Sequence, residues 1–180
     1  MIAVKILKIS YEPSTRNYYI ILKELDGDRC IPLIIGSSEA QSIALALEFV
    51  ETKRPLTHDL ICKLLSKIDC SLKRVRITDL KDGVFYSYMD IESKKFGKHK
   101  IDARPSDAIA IALRENAPIL VSKKLIRDSS INQQALIEIH DREKVDKFLK
   151  KLKSKLNDAI KDEKYEVAAE LRDKIRKLED

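Results

Sequence analysis

Glycine is scarce, with four in 180 residues. That leaves little room for the glycine-rich loop that cradles nucleotide phosphates, and no such motif is present. Cysteine is sparser still. Cys30, Cys62 and Cys70 lack the paired spacing of a zinc site, and three thiols leave one unpaired under any disulfide scheme. They are expected to be buried thiols in a reducing compartment. No His-Glu-x-x-His pattern occurs. The dipeptide His58-Asp59 has the look of the all-helical HD phosphohydrolases, but their additional upstream histidine is missing. No apolar run approaches the roughly 20 residues that cross a bilayer. Met1 to Ser10 alternates apolar and polar residues where a leader would be continuously apolar. These absences predict a cytoplasmic protein with no membrane segment.

Hydrophobic residues make up 44% and charged residues 36% of the chain, a balance that folds and carries a heavily charged surface. The net charge is +6 and the sequence pI about 9.1, which favours polyanionic partners.

Ile2, Val4 and Ile6 alternate with polar or small residues, as a half-buried strand requires. Residues 17–25 and 29–35 are further strand-like runs, separated by the turn-forming Asp26-Gly27. Beyond Gly36 the period changes. Ser37 or Ser38 is expected to cap a helix, with Gln41 as a capping-box partner. Ile43, Leu45, Ala46, Leu47 and Val50 make it apolar on most faces, and Arg54-Pro55 should end it. Thr57 is the expected N-cap of a second helix built on Ile61, Leu64, Leu65 and Ile68. Residues 72–80 and 84–91 read as strands joined through Asp82-Gly83. A basic loop (Lys94, Lys95, Lys98, Lys100) leads to a strand through Ile101. Pro105 then opens a third helix, and residues 118–121 form a short last strand. The expectation is an α+β domain over residues 1–130, a mixed sheet with about three packed helices.

Residues 131–141 read as a linker. From 142 to 180 the composition shifts to 13 Lys or Arg and 10 Asp or Glu. Leu152, Leu156 and Ile160 recur every four residues, and a second helical spacing runs from Tyr165 to Leu178. Two short helices with narrow apolar seams predict an antiparallel hairpin that needs a partner for its seam.

Three junctions where helices begin concentrate polar side chains: residues 36–39, 54–59 and 102–107. Free backbone N–H groups at such ends suit anions. The junctions offer carboxylates (Glu39, Asp59, Asp102, Asp107), an imidazole (His58) and guanidinium groups (Arg54, Arg104). Carboxylates can hold Mg²⁺ or Mn²⁺ against a phosphate, and arginines can neutralise its developing charge. The same residues have ordinary readings: acidic groups in first helical turns are stabilising without any ligand.

Four ordered motifs resemble the bifunctional nuclease family: IPLIIGSSEAQSIALALE (Ile31 to Glu48), RPLTHDLI (Arg54 to Ile61), LKDGVFYSYM (Leu80 to Met89) and IDARPSDAIAIALR (Ile101 to Arg114). The resemblance spans roughly residues 1–130 and implies cleavage of both DNA and RNA. Its motif positions here are Glu39, His58, Asp59, Asp82, Asp102, Arg104 and Asp107. Asp82 is explained by its turn. Catalytic roles are expected for Glu39, His58, Asp59, Asp102 and Asp107. Of these, Asp59, Asp102 and Asp107 would bind a divalent metal, with Arg54 and Arg104 on the phosphate. Residues 156–179 (LNDAIKDEKYEVAAELRDKIRKLE) resemble the UVR motif, a hairpin through which repair proteins associate and which also occurs in proteins contacting Clp-type chaperones.

The expectation is a metal-assisted nuclease with a protein-binding hairpin, in a homo-oligomer. Lys73, Arg74, Arg76, Lys94, Lys95 and Lys98 would add salt-sensitive nucleic-acid contacts. The alternative is a non-catalytic adaptor, in repair or proteostasis, whose junction residues are structural.

Overall fold

The computed structural model describes residues 1–13, 15–132, 149, 151–158, 160–161 and 171–172. By internal contacts residues 1–132 and 133–180 form two compact units.

In the first unit β1 (Ile2–Glu12), β2 (Asn17–Glu24) and β3 (Arg29–Ile35) form an antiparallel meander. Ile20, Ile21 and Leu22 of β2 are buried in succession, so both faces of that strand are covered here. A second meander comprises β4 (Cys70–Lys81), β5 (Val84–Ser93) and β6 (Gly97–Ala103). Asp82 and Gly83 both have positive φ, 51° and 77°, the backbone of a two-residue turn matched to strand twist, and Lys81 pairs with Val84 across it. Three-residue β7 (Ile119–Val121) lies between the meanders, antiparallel to β1 and parallel to β4. It joins them into one mixed sheet ordered β6-β5-β4-β7-β1-β2-β3-β8, with β8 (Ile131–Asn132) at the edge.

Helices α1 (Ser37–Leu47), α2 (Thr57–Lys67), α3 (Pro105–Arg114) and α4 (Lys123–Ser129) pack on this sheet. α3 is central: Ala108 to Ala112 are all essentially inaccessible, and α1 and α2 both lie against it. Its small residues let its neighbours approach closely. The core joins Ile43 of α1 and Ile109 and Ile111 of α3 to Leu22, Leu33, Val75 and Ile77 of the sheet.

The α+β class and mixed sheet are as expected; several details differ. Gly36, not a serine, is the N-cap of α1, and Leu56, not Thr57, is that of α2. α1 ends at Leu47, before Arg54-Pro55, because Phe49 turns to φ 52°, and Val50 is exposed beyond it. On α2, Ile61 and Leu65 face the core, whereas Leu56, Leu60, Leu64 and Ile68 form an exposed ridge spaced by four. Lys98 and Lys100 lie on β6 rather than in a loop. α4 was not expected; Ser122 caps it, its hydroxyl accepting from the Leu125 N–H at 3.1 Å.

In the second unit residues 151–158 are helical, with Leu152 buried and Leu156 half-buried. Most of the expected hairpin, including its turn and the Tyr165–Leu178 spacing apart from residues 171–172, lies outside the described residues. So do residues 133–141 of the expected linker.

Candidate functional site

Two helices open toward the same place. At the start of α1 the Glu39 side chain folds back over Gly36, where an added Cβ would collide with its carboxylate. Ser38 Oγ donates to Glu39 Oε2 at 2.8 Å. At the start of α3, Arg104 is the N-cap and Pro105 the first helical residue. Arg104 Nε donates to Asp107 Oδ2 at 2.7 Å and Nη2 to Asp107 Oδ1 at 3.0 Å. Its Nη1 lies 3.1 Å from Glu39 Oε1. One guanidinium therefore bridges carboxylates from two helices, and its own side chain is 67% exposed.

Behind this bridge runs a chain of hydrogen bonds. His58 Nε2 lies 3.3 Å from Asp107 Oδ1, and His58 Nδ1 lies 2.8 Å from Ser42 Oγ. Arg114 Nη2 donates to Ser42 Oγ at 3.4 Å. An ionised Asp107 can only accept, so His58 Nε2 carries its hydrogen toward it, and in a neutral ring Nδ1 then accepts from Ser42 Oγ, which itself accepts from Arg114. Every donor in the chain points the same way. Arg114 also donates from Nε to Asp59 Oδ1 at 2.5 Å and from Nη1 to the Ala110 carbonyl at 2.8 Å. Asp59 Oδ2 accepts the Leu56 N–H at 2.8 Å, capping α2.

All three carboxyls are held below the usual carboxylate range. For Glu39 the cause is first the Ser38 hydroxyl, then its own backbone N–H and Arg104. For Asp59 it is first the Arg114 hydrogen bond. Burial pushes Asp107 up, but hydrogen bonds from Arg104 and His58 outweigh it. Burial also raises the Cys62 thiol to about 12, so it is no nucleophile at neutral pH.

Beside the Arg104 bridge lies a cleft of about 430 Å³ between β3, the β4–β5 turn and the starts of α1 and α3. Tyr19, Ile34, Val84 and Phe85 line its apolar part; Glu39, Arg104 and Ser106 line its polar end.

Glu39, His58, Arg104 and Asp107 are thus brought together. Asp59 joins them only through Arg114 and Ser42. Asp102 is exposed on β6, opposite Tyr88 of β5, and Arg54 is exposed in the segment before α2. Ser42 and Arg114 are functional candidates that the sequence reading missed. The available signal was a serine and an arginine set in otherwise apolar helical runs. Among the basic residues, Arg74 and Arg76 both bind Asp90, at 2.7 and 2.5 Å. Lys73 and Lys98 flank Glu92, at 3.5 and 3.8 Å. Lys94 and Lys95 lie in the β5–β6 turn, with Lys95 over the Phe96 ring.

As placed, the carboxylates do not fit a divalent cation's oxygen shell. Arg104 occupies the space between Glu39 and Asp107, Arg114 holds Asp59, and Asp102 lies apart on β6. Among the described residues no group of three or more His, Cys, Asp or Glu is gathered so as to hold a metal ion.

Residues 20–134 match the family model described as the bifunctional nuclease domain, and residues 146–180 match the UvrB/uvrC motif. The chain belongs to the bifunctional nuclease domain family. Two uncharacterized proteins of Mycobacterium tuberculosis, from strains CDC 1551 and H37Rv, are each 41% identical over 128 residues, 71% of this chain and 76% of theirs. Bifunctional nuclease 1 of Arabidopsis thaliana is 27% identical over 177 residues, covering 87% of this chain. Bifunctional nuclease 1 of Oryza sativa subsp. indica is 27% identical over 123 residues, covering 66%. The alignments span 54% and 37% of those two plant proteins. No helix among the described residues is long and apolar enough to cross a membrane.

Proposed function

We propose that the protein hydrolyses phosphodiester bonds of nucleic acid at the Glu39–Arg104–Asp107 bridge. The observation that carries this reading is the meeting of Glu39, His58, Arg104 and Asp107, from three helices, with Glu39 and Arg104 lining one cleft. Membership in a family that includes plant proteins named bifunctional nucleases supports nucleic acid as the substrate class.

In this reading Arg104 is the phosphate-holding residue, because it is cationic and exposed at the cleft. Asp107 and Glu39 aim its guanidinium and position water beside the phosphate. His58, oriented by Ser42, keeps Asp107 in place, and its Nε2–H can follow charge developing there. Asp59 and Arg114 are architectural, locking α2 to α3. Cleavage in EDTA compared with Mg²⁺ or Mn²⁺ measures whether a divalent cation is required.

The UvrB/uvrC motif at residues 146–180 supports a protein partner for that segment. It also sustains the adaptor alternative, as does the pairing of Glu39, Asp59 and Asp107 with arginines in the manner of structural staples.

The test is incubation of the full chain with labelled single- and double-stranded DNA and RNA in Mg²⁺, Mn²⁺ or EDTA, alongside Asp107→Asn and Glu39→Gln. Cleavage by the parent, reduced at least about a hundredfold in folded Asp107→Asn, is expected. Equal cleavage by both variants removes the Glu39–Arg104–Asp107 bridge as the site, and no cleavage under any condition transfers the reading to the adaptor.

A further inference from the structure

The apolar part of the cleft has no role in holding a phosphate, yet it adjoins the residue that would hold one. Ile34 and Val84, 64% and 57% exposed, stand at it on β3 and β5, and Phe85 and Tyr19 supply aromatic walls. Exposed apolar side chains gathered at one cleft, unlike the same residues scattered singly, mark an interaction or ligand site. Arg104 marks the adjacent end as the place for an anion. Glu39 and Asp107 both flank that guanidinium, whose side chain is nevertheless 67% exposed and keeps N–H groups open to a ligand.

We infer that this cleft is a subsite for one unstacked nucleobase, seated against Phe85, Ile34 and Val84 while its phosphate lies on Arg104. This inference rests on the proposed function and adds a substrate preference to it. A planar heterocycle has two weakly polar faces and a polar rim, and apolar walls receive the faces. A cleft of about 430 Å³ falls in the size range of small-ligand sites. A base inside a duplex cannot enter without being flipped out, so single strands are the favoured substrate. The lining side chains include no asparagine, glutamine or lysine; Glu39 and Arg104 are paired with each other and Ser106 is buried, so none is left free to read a base edge. The subsite therefore tolerates any base.

The test separates binding from cleavage. The full chain is titrated with short fluorescent single-stranded oligonucleotides of different base content, with a duplex of the same length, and with inorganic phosphate as competitor, in EDTA. Ile34→Ser and Val84→Ser are compared with the parent; both positions are exposed, and their melting curves verify folding. Single strands are expected to bind at least about tenfold more tightly than duplex, with little base preference, and each substitution to weaken them about fivefold. Unchanged affinity in both variants, equal affinity for duplex, absent binding, or displacement by millimolar phosphate alone would each overturn the subsite. Cleavage with none of these binding effects sinks the subsite and spares the nuclease. Binding that follows Ile34 and Val84 without cleavage retains the subsite and removes the catalytic reading.

Discussion

Arg114 bears more of the local structure than any carboxylate it touches. Its side chain is 12% exposed, and it ties α3 to Asp59 of α2 and to Ser42 of α1. Removing one partner of a buried pair leaves the other charge unmatched, which costs more than the pair itself contributes. Asp59 is partly open to water, at 28%, so the penalty is reduced. Arg114→Ala is expected to lose about 2–4 kcal/mol in urea unfolding, and a double-mutant cycle with Asp59→Asn should show strong coupling. A loss below about 0.5 kcal/mol would mean that water replaces these bonds freely. The pH dependence follows from the same residues. Glu39, Asp59 and Asp107 are held below their ordinary values. The unfolded chain therefore binds more protons than the folded one in the acid range. Their contribution is complete above the ordinary carboxylate pKa and is lost as pH falls through the lower folded values. Stability should be flat with respect to these groups from neutrality to about pH 5 and fall below about pH 4, less steeply in Asp59→Asn.

Among the elements, α3 sets the geometry of the site, since it supplies Arg104 and Asp107 at one end and Arg114 at the other. Its sequence alternates small and branched residues through Ala108, Ile109, Ala110, Ile111 and Ala112, all buried. Ala110→Leu must displace neighbours packed against it and is expected to cost about 1–3 kcal/mol. A variant as stable as the parent by thermal melting would show that the neighbours of Ala110 yield without cost. This helix was legible in the sequence, because Pro105 and a continuous apolar run mark it without tertiary information. α2 was only partly so. Four apolar residues at helical spacing were read as facing inward, but periodicity identifies a stripe and not what covers it. Ile61 and Leu65 took the core, leaving Leu64 and Ile68 outside. The site shows the same division. The motif positions Glu39, His58, Arg104 and Asp107 could be named as polar residues at helix starts. Which carboxylate meets which arginine could not, because Asp59 and Arg114 are 55 residues apart and meet only after α2 docks on α3. The strand arginines meet the same limit: sequence alone does not show that cross-strand register puts Asp90 beside both Arg74 and Arg76.

At the scale of the whole molecule, the family match and the folded unit do not begin at the same residue. The match starts at residue 20, inside β2, whereas the sheet order places β1 (Ile2–Glu12) between β7 and β2. β1 pairs on one side with β2 from Val4 to Glu12 and on the other with β7 from Ile2 to Val4. Without it the two meanders lose their connection through the sheet, and the buried Ile20, Leu22, Ile119 and Val121 lose a neighbour. Edge exposure of that kind also leaves backbone N–H and C=O groups of β2 and β7 without partners. A fragment of residues 1–132, the first compact unit, should unfold cooperatively and keep most of the parent's thermal stability. A fragment of residues 20–134, matching the family boundaries, should instead lack a cooperative melt and bind hydrophobic dyes, as a partly packed chain does. A sharp transition in residues 20–134 near that of the longer fragment would show that β1 is an accessory strand.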